Sequence, residues 1–426
     1  MADIRPFRGI RYNPAKTADQ DKVITQPYDK VSPEMKQGYL AADPHNFVRL
    51  ILPDGYEASA ATCRQWLAEG VLVRDPEPAL YVYHQEFTAL GETRVRKGFV
   101  GVLHVDEFEK GTVLPHERTL SKAKADRLSL TRATRKDYEQ IFMLFSDPER
   151  EVDRLLEPAG DPDIRATDEY GVVHRAWTVT DPATIARVRA KLADAVLLIA
   201  DGHHRYETAL NFRKEVEAAE PGLAPDAAVR FKTCAFINVA DPGLVIFPTH
   251  RFLANLGDVD WGAKLALLAA AFKVTPVAPA DAEEALRAAA GGNAFVLHAG
   301  KARTWLLELA DRRAVERAVG PERSADYKAL DVVVLHSVVI ESIFGVTPEN
   351  IENHVKYERD WRTAVARVDS GEFQAVLLMN PTRVEQVRRL SELGERMPQK
   401  STDFYPKLIS GLVFHDIAPD QADKEA

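Results

Sequence analysis

The residues most suited to chemistry form a polar turn, Asp201-Gly202-His203-His204-Arg205, directly after an apolar run. The run, Ala195–Ala200, is short and aliphatic, which predicts a buried strand. Apolar positions from Tyr206 onward predict a helix. A helix that starts at such a turn leaves its first N–H groups without intrahelical partners, and its dipole favours an anion there. The sequence therefore predicts a phosphate-binding turn.

Each residue of the turn has a role in this interpretation. Gly202 lets the backbone approach a phosphate closely. His203, His204 and Arg205 supply donors and positive charge, and Thr208, one turn further on, joins them as a donor-binding residue. Asp201 is a candidate catalytic residue and a candidate ligand for a divalent metal. The alternative interpretation is an ordinary helix start with solvated polar residues.

A second candidate lies upstream, in Leu114-Pro115-His116-Glu117-Arg118-Thr119. Seven basic side chains follow between Arg118 and Lys136, interrupted by one acid. These positive charges should keep Glu117 ionised, so that it could accept a proton or bind a metal. His116 and Glu117 are therefore candidate catalytic residues. The basic run suits a polyphosphate or a substrate carboxylate, for which the candidates are Lys122, Lys124 and Arg127; the alternative is a solvated charged face.

Composition narrows the class of protein. The chain has 426 residues, 46% of them hydrophobic and 28% charged, as in an ordinary globular protein with more than one domain. A formal net charge of −9 argues against broad nucleic-acid binding, which needs a basic surface. Cys63 and Cys234 have no metal-ligand spacing. Because neither a signal peptide nor a membrane-spanning run is present, we expect a cytoplasmic protein without a membrane partner.

The remaining pattern predicts a mixed α/β (α+β) fold. Apolar runs and turn residues predict strands and helices along the whole chain, and an alanine-rich stretch over 255–325 alternates helical and extended patterns. We expect three regions, which are an N-terminal α+β region over 1–112, a phosphate-binding domain over 113–254 and a C-terminal α/β region over 255–426. The oligomeric state is left open.

Three further polar segments have less definite roles. The segment Gln26–Pro33 is loop-like and consistent with a surface connection, and within it Pro27-Tyr28-Asp29 is a candidate wall of the site, as is Lys400-Ser401. Pro248-Thr249-His250-Arg251 is a polar cluster with no assigned role. The tail Met397–Lys407 could close over a site with Lys400, Ser401 and Lys407, although a structural loop fits it as well.

The common nucleotide-binding loops, Gly-x4-Gly-Lys-Ser/Thr and Gly-x-Gly-x-x-Gly, are absent from the sequence. The chain instead resembles a prokaryotic family of unknown function, DUF1015, which is loosely labelled ParB-like (SpoOJ). The resemblance rests on five short motifs: Pro6-Phe7-Arg8-Gly9, Pro27-Tyr28-Asp29, Pro115-His116-Glu117, Ala200–Leu210 and Met397–Lys407.

Within this family resemblance, the segment from about Leu114 to Leu210 looks like the ParB/sulfiredoxin fold. His203 stands where sulfiredoxin has its cysteine, so that thiol chemistry is not implied. ParB-like free-serine kinases have Asp-Gly-His-His-Arg and an upstream His-Glu, as this sequence does. The resemblance implies that Glu117 is the catalytic base and that Asp201–Arg205 holds the donor phosphates with Mg²⁺.

Three functions are consistent with these observations. The first is a small-molecule kinase that phosphorylates free L-serine from ATP, ADP or pyrophosphate. The second is a ParB-like nucleotide-binding regulatory protein with a protein or DNA partner. The third is a metal-dependent hydrolase using His116, His203, His204 and Glu207, although adjacent histidines on a regular helix cannot both face one metal. For the kinase we expect Glu117 and the Asp201 turn to line one cleft.

Overall fold

The structure is a computed structural model that describes residues 1–17, 19–117, 121–301, 303–398 and 400–418, with side chains from residue 124 onward in the third range. The chain is divided into two compact units. Unit 1 comprises Met1–Pro115, Thr119–Val245 and Pro406–Ala426, and unit 2 comprises His116–Arg118 and Ile246–Tyr405. Helices and strands are mixed in both units, which confirms the predicted α+β class.

Unit 1 contains mostly short strands, together with two long ones that form a hairpin. They are β1 (Ile4–Arg5), β2 (Ile10–Tyr12), β3 (Leu72–Arg74), β4 (Leu80–Ala89), β5 (Glu92–His104), β6 (Val113–Leu114), β7 (Lys136–Asp137), β8 (Ile141–Phe145), β9 (Ile164–Thr167), β10 (Val173–Val179), β11 (Leu197–Asp201), β12 (Phe231–Asn238) and, near the C-terminus, β21 (His415–Asp416).

The main sheet of unit 1 has the order β6-β11-β8-β12-β5-β4-β10-β9, with β1 paired to β5. β11 runs parallel to β6 and antiparallel to β8, whereas β8 and β12 are parallel. β12 joins the β4–β5 hairpin through antiparallel pairing with β5. Strands β8 and β12 are buried along their whole length, as expected at the centre of a covered sheet.

Helices cover this sheet and complete unit 1. They are α1 (Pro33–Ala42), α2 (Val48–Ile51), α3 (Tyr56–Ala68), α4 (Ser121–Thr134), α5 (Glu151–Leu155), α6 (Pro182–Leu192) and α7 (His203–Ala219). Local sequence sets two of the starts. Ser32 before α1 and Asp181 before α6 each accept a hydrogen bond from a first-turn N–H, and each is followed by a proline at the first helical position.

Unit 2 has its own sheet and core. Its strands are β13 (Val245–Phe247), β14 (His250–Leu253), β15 (Phe272–Pro276), β16 (Ala294–His298), β17 (Thr304–Leu309), β18 (Val355–Glu358), β19 (Ala375–Met379) and β20 (Asp403–Tyr405). The sheet order is β15-β17-β16-β19-β14-β18, and β13 pairs with β20. Apolar side chains of β14, β16 and β19 pack against helices to form the core.

The helices of unit 2 are short, and one segment has π-helical hydrogen bonding. They are α8 (Trp261–Ala269), α9 (Ala282–Ala288), α10 (Arg312–Val319), α11 (Ala325–Lys328), α12 (Asp331–Val334), α13 (Ile351–His354), α14 (Trp361–Asp369) and α15 (Val384–Glu392), with the π-helical segment Leu335–Ile343 after α12. Most side chains of α12 and of this π-helical segment are apolar and buried.

Candidate functional site

The predicted turn lies at the end of a buried strand in unit 1. β11 pairs antiparallel with β8, and its register shifts between Ile199 and Asp201, so that Ala200 forms a bulge. A bulge bends the strand and redirects the side chain that follows. Gly202 then adopts φ +97°, and α7 begins at His203. The strand, turn and helix are therefore arranged as the sequence predicts.

Glycine is required at position 202 for two reasons. Its positive φ belongs to the left-handed region that L residues avoid. A Cβ placed on Gly202 would also lie 3.0 Å from Nε of Arg205, because the Arg205 side chain folds back over the start of its own helix. Since glycine has no side chain, residue 202 does not cap the first N–H groups of α7.

Arg205 is buried and held from two sides. Its Nη1 donates to the carbonyl of Gln140, and its Nη2 lies 3.5 Å from Oδ2 of Asp201. Burial lowers the pKa of Arg205, but Asp201, Glu139 and Asp29 raise it, and the net pKa is above its ordinary value. The guanidinium therefore stays charged at the turn.

Asp201 is surrounded by positive groups from three parts of the chain. Nζ of Lys407 lies 3.9 Å from its Oδ2. Burial raises the pKa of the Asp201 carboxyl, but Lys407, Arg205, Lys30 and His203 lower it, and the net pKa lies far below its usual range. These positive neighbours keep the Asp201 carboxylate ionised.

The loop that supplies Lys30 is anchored beside the turn. The backbone N–H of Tyr28 donates to Oε1 of Glu139 at 3.0 Å, and the Ser410 hydroxyl donates to the same oxygen at 3.0 Å. Burial raises the pKa of Tyr28 to about 12. The neighbouring Asp29 acts electrostatically on Arg205 and on His204. The loop Gln26–Pro33, which the sequence leaves ambiguous, thus contributes charges to the site.

The two histidines of the turn differ in exposure, since His203 is buried and His204 is only half-buried. Burial lowers the pKa of His204, and Lys124 and Arg205 lower it further, against the opposing effects of Glu207 and Asp29. His204 is therefore a neutral imidazole near pH 7, able to donate one hydrogen bond but not to supply a full charge.

Helix α4 brings the predicted basic residues next to α7. Lys124 forms an ion pair with Glu207 at 2.6 Å. Arg127 is buried, stacks over Tyr28 at 4.2 Å from the ring centroid and donates to Asp126 and to the Ile51 carbonyl at 2.6–2.8 Å. The side chain of Lys122 lies outside the described residues, as does Arg118. The donors of Arg127 are thus engaged within unit 1.

Thr208 has a local role in the helix. Its hydroxyl donates to the carbonyl of His204 at 2.7 Å, one turn back. Thr208 and Arg205 also line a cavity of about 50 Å³ between α4, α7 and β12, together with Glu139 and Lys232. This volume accommodates a few water molecules and no larger ligand.

His116 and Glu117 belong to unit 2. Glu117 forms a parallel bridge with Met397, and the Met397 N–H donates to the His116 carbonyl at 2.7 Å. The His116 ring is fully buried, its Nε2 is 3.0 Å from the Thr402 hydroxyl, and it lies 3.9 Å from Oε1 of Glu117. The contacts of Met397 and Thr402 therefore hold the backbone and ring of His116 in place beside Glu117.

A buried arginine, which the sequence leaves without a role, accompanies Glu117 in unit 2. Arg251 is 1% exposed, and its guanidinium donates to the carbonyls of Thr249 and Lys400 and to Nε2 of His336. Burial lowers the pKa of Arg251 to about 10, while Tyr357 and Glu117 raise it. Glu117 is thus the acidic group that counters this buried cation.

No helix in the described part of the chain is long and apolar enough to cross a membrane. Within the same described residues, no three or more His, Cys, Asp and Glu side chains are grouped so as to hold a metal ion. At the turn, the Asp201 carboxylate lies beside Lys407 and Arg205. Such a donor set fits magnesium only as an ion that arrives with donor phosphates, because Mg²⁺ commonly binds through one or two carboxylates plus substrate phosphates.

Comparisons with known proteins give the family. The model of the family described as "Protein of unknown function (DUF1015)" matches residues 4–333, and the chain belongs to this family. No curated protein matches the chain. The similar solved structures include a free serine kinase in complex with AMP, with 14% identity, a TM-score of 0.35 and coverage of 73% of this chain and 90% of that one.

Two further structures show the same level of similarity. A conserved hypothetical protein from Pyrococcus furiosus has 15% identity and a TM-score of 0.35, covering 73% of this chain and 94% of that one. SbnI from Staphylococcus aureus, truncated at its C-terminus, has 12% identity and a TM-score of 0.34, covering 74% and 86%. The TM-scores of these three structures all lie below 0.5.

The structure thus brings Asp201, Gly202 and Arg205 together as expected and adds Lys30 and Lys407 to them. Sequence reasoning missed Lys30, and it named Lys407 only as part of a tail that could close over a site. Glu117 and His116 lie in unit 2 and the turn lies in unit 1. That both line one cleft stays a prediction.

Proposed function

We propose that this protein is a small-molecule phosphotransferase whose donor, ATP, ADP or pyrophosphate, binds at the turn Asp201–Arg205. One observation carries the proposal. Lys407 and Lys30, from distant parts of the chain, and Arg205, four residues after Asp201, all lower the pKa of the Asp201 carboxyl at the start of α7. Cations that converge on a helix start suit a ligand with several negative charges.

Phosphoryl transfer asks the protein mainly for positioning and for positive charge around the phosphoryl oxygens. Arg205 is fixed by Gln140 and Asp201, so its guanidinium is oriented before the donor arrives. Gly202 leaves the helix start uncovered by any side chain of its own. Both features lower the cost of ordering the site around a phosphate.

The acceptor that we propose is the hydroxyl of free L-serine, with Glu117 as the general base. The acceptor oxygen forms a bond to the transferred phosphorus as the bridging P–O bond of the donor breaks, and that electron pair leaves on the donor oxygen. The hydroxyl proton passes to the Glu117 carboxylate. Arg251 supports this role because its positive charge favours the ionised form of Glu117. General bases of this kind contribute about 10²- to 10⁴-fold.

Recognition of serine also requires a partner for its carboxylate. Among Lys122, Lys124 and Arg127 we propose Lys124, because its ammonium is partly exposed and is paired only with the equally accessible Glu207. Asp201 would hold magnesium, which when bound neutralises charge on the donor phosphates. The other candidate residues of the turn, His203, His204 and Thr208, would contribute donors to the phosphate oxygens.

The direct test is a screen of ATP, ADP and pyrophosphate against free amino acids, followed by phosphorus NMR. We expect a phosphomonoester signal with L-serine that requires magnesium and is lost in Arg205→Ala. Donor binding without turnover against any acceptor would instead support the alternative, a ParB-like nucleotide-binding regulatory protein. Failure of the purified protein to bind any of the three donors would contradict the proposal.

A further inference from the structure

The C-terminal segment returns to unit 1 and delivers a lysine to the turn. After β20 the chain re-enters unit 1 at Pro406, and the next residue, Lys407, places its Nζ 3.9 Å from Oδ2 of Asp201. The Lys407 side chain is only 10% exposed. A long, flexible cationic side chain that is nevertheless held out of water needs a structural reason, because burying an ammonium costs free energy.

The backbone of this segment is clamped by two buried side chains. Arg96 Nη2 donates to the Pro406 carbonyl at 2.6 Å, and Gln85 Nε2 donates to the Lys407 carbonyl at 2.9 Å. Gln85 and Arg96 are direct partners across the β4–β5 hairpin and are bonded to each other. Both are about 1% exposed. The clamp therefore fixes the point from which the Lys407 side chain extends.

The clamp is continuous with the turn. The Arg96 guanidinium stacks over the Phe142 ring at 4.5 Å, and Phe142 is the residue paired with Asp201 in the β8–β11 ladder. The hydrogen bonds, the stacked ring and the ladder pair thus lead from the clamp to the carboxylate that Lys407 faces. The Lys407 ammonium is therefore held close to the Asp201 carboxylate, because the backbone of both residues is constrained.

We propose that Lys407 is a donor-binding residue which contacts a second phosphate group, while Arg205 and the start of α7 hold the first. The inference rests on the proposed function and deepens it, since it assigns the donor to the condensed phosphates. In the donor-free protein Asp201 keeps the ammonium in place. Lysine suits this task because it is a compact point charge on a flexible stem, whereas the fixed fork of Arg205 suits one oriented phosphate.

The test is calorimetric titration of the full chain with inorganic pyrophosphate and with orthophosphate, each with and without magnesium. Lys407→Met should weaken pyrophosphate binding by about 10- to 100-fold, the range for one hydrogen bond to a charged group. Orthophosphate binding should weaken less, by under about tenfold, because the Lys407 ammonium then acts on this anion through space and donates no hydrogen bond to it. Arg205→Ala should weaken both anions.

Lys328→Met is the matched control. The Lys328 side chain is also 10% exposed, and it is paired with Glu316 in unit 2. It should leave both affinities unchanged. Thermal unfolding of each variant shows whether the protein is still folded. Lys407→Arg keeps the positive charge, so it shows whether the loss of charge is the cause of weaker binding.

The outcomes separate the two proposals. If the wild-type protein binds neither anion, the donor site and the Lys407 assignment both fail. If Arg205→Ala weakens both anions and a folded Lys407→Met variant weakens neither, the turn stands and the Lys407 assignment is overturned. Equal weakening of both anions by Lys407→Met overturns the preference for condensed phosphates.

Discussion

The surroundings of Asp201 and of Glu117 differ in how a carboxylate is matched with positive charge. Asp201 in unit 1 faces Lys407, Arg205 and Lys30, each delivered from a different part of the chain. Glu117 in unit 2 is accompanied by one fully buried guanidinium, Arg251. The first arrangement brings several cations together with Asp201 and, around Arg205, with Asp29 and Glu139, whereas the second has one cation and one carboxylate.

The partners of the cations strengthen this contrast. In unit 1 the charges meet at a strand end, beside a helix start that carries no capping side chain. In unit 2 the Arg251 guanidinium donates hydrogen bonds to the carbonyls of Thr249 and Lys400 and to the His336 ring. A group of charged side chains at a helix start whose N-cap is glycine favours binding an anion, and a guanidinium that donates to backbone carbonyls favours holding a loop in place. This contrast agrees with the phosphate site that we propose in unit 1.

The largest expected effect is on catalysis by Glu117. Glu117→Gln keeps the shape of the side chain but removes its basicity, so kcat with serine should fall by about 10²- to 10⁴-fold while donor affinity is unchanged. Steady-state kinetics and calorimetric donor binding measure the two separately. Glu352→Gln, on the exposed side of α13 in unit 2, is the matched control and should leave both unaltered.

Other outcomes for Glu117→Gln would change the comparison. A loss of donor affinity that excess magnesium restores would make Glu117 a metal-binding residue rather than a base. Unchanged kcat would remove Glu117 from the mechanism and leave unit 2 with a structural ion pair only.

The second prediction concerns the stability of unit 2. Arg251→Met removes the donors to the Thr249 and Lys400 carbonyls, and each lost hydrogen bond from a charged donor costs about 1.5–3 kcal/mol. We expect the free energy of unfolding in urea to fall by about 2–5 kcal/mol. Arg313→Met, at a side chain that is 81% exposed, should cost under about 0.5 kcal/mol. Equal stability of these two variants would contradict the clamp that we assign to Arg251.

The third prediction concerns the backbone of the turn in unit 1. Gly202→Ala forces a side chain into φ +97° and toward the Arg205 guanidinium, so stability should fall by about 1–3 kcal/mol. Displacement of Arg205 should also weaken pyrophosphate binding. Gly222→Ala, where the space for a Cβ is open, controls for the added methyl group. Normal anion binding by Gly202→Ala would show that Arg205 need not fold back over the helix start.

Local patterns predicted the turn well, because strand, glycine and helix follow one another within about twenty residues. The apolar run before Asp201 and the helical pattern after Gly202 are short-range signals, and the structure reproduces both. The Ala200 bulge has no such signal. Its presence depends on pairing with β8, which lies more than fifty residues upstream.

The rest of the candidate site depends on contacts between distant segments. No sequence pattern near Lys30 or Lys407 indicates that both residues act on Asp201. The loop with Lys30 is held by the hydrogen bond to Glu139, and the segment with Lys407 is held by the hydrogen bonds from Arg96 and Gln85. Arg251 stands in a strand whose residues are all buried, and no periodicity distinguishes a buried arginine with satisfied donors from an exposed one. Such residues become recognisable only when their partners are known.

The smallest expected effect is on the pH dependence of stability in unit 2. His336 is buried, and burial lowers its pKa to about 3, with a further lowering by the neighbouring Arg251. In the unfolded chain a histidine titrates near pH 6.5. As the pH falls below that value, the unfolded state gains a proton that the folded state refuses, so stability is lost on acidification. Between pH 7 and pH 5 this histidine should cost about 2 kcal/mol.

His336→Gln tests this assignment because a glutamine oxygen can accept the hydrogen bond from Arg251 Nε and does not titrate. The free energy of unfolding of the variant, measured in urea at pH 7 and pH 5, should fall less than that of the wild type by roughly 1–2 kcal/mol. If His336→Gln and the wild type lose the same stability, His336 accepts a proton in the folded protein. Arg251 would then have a cationic neighbour, and the contrast with the Asp201 turn would weaken accordingly.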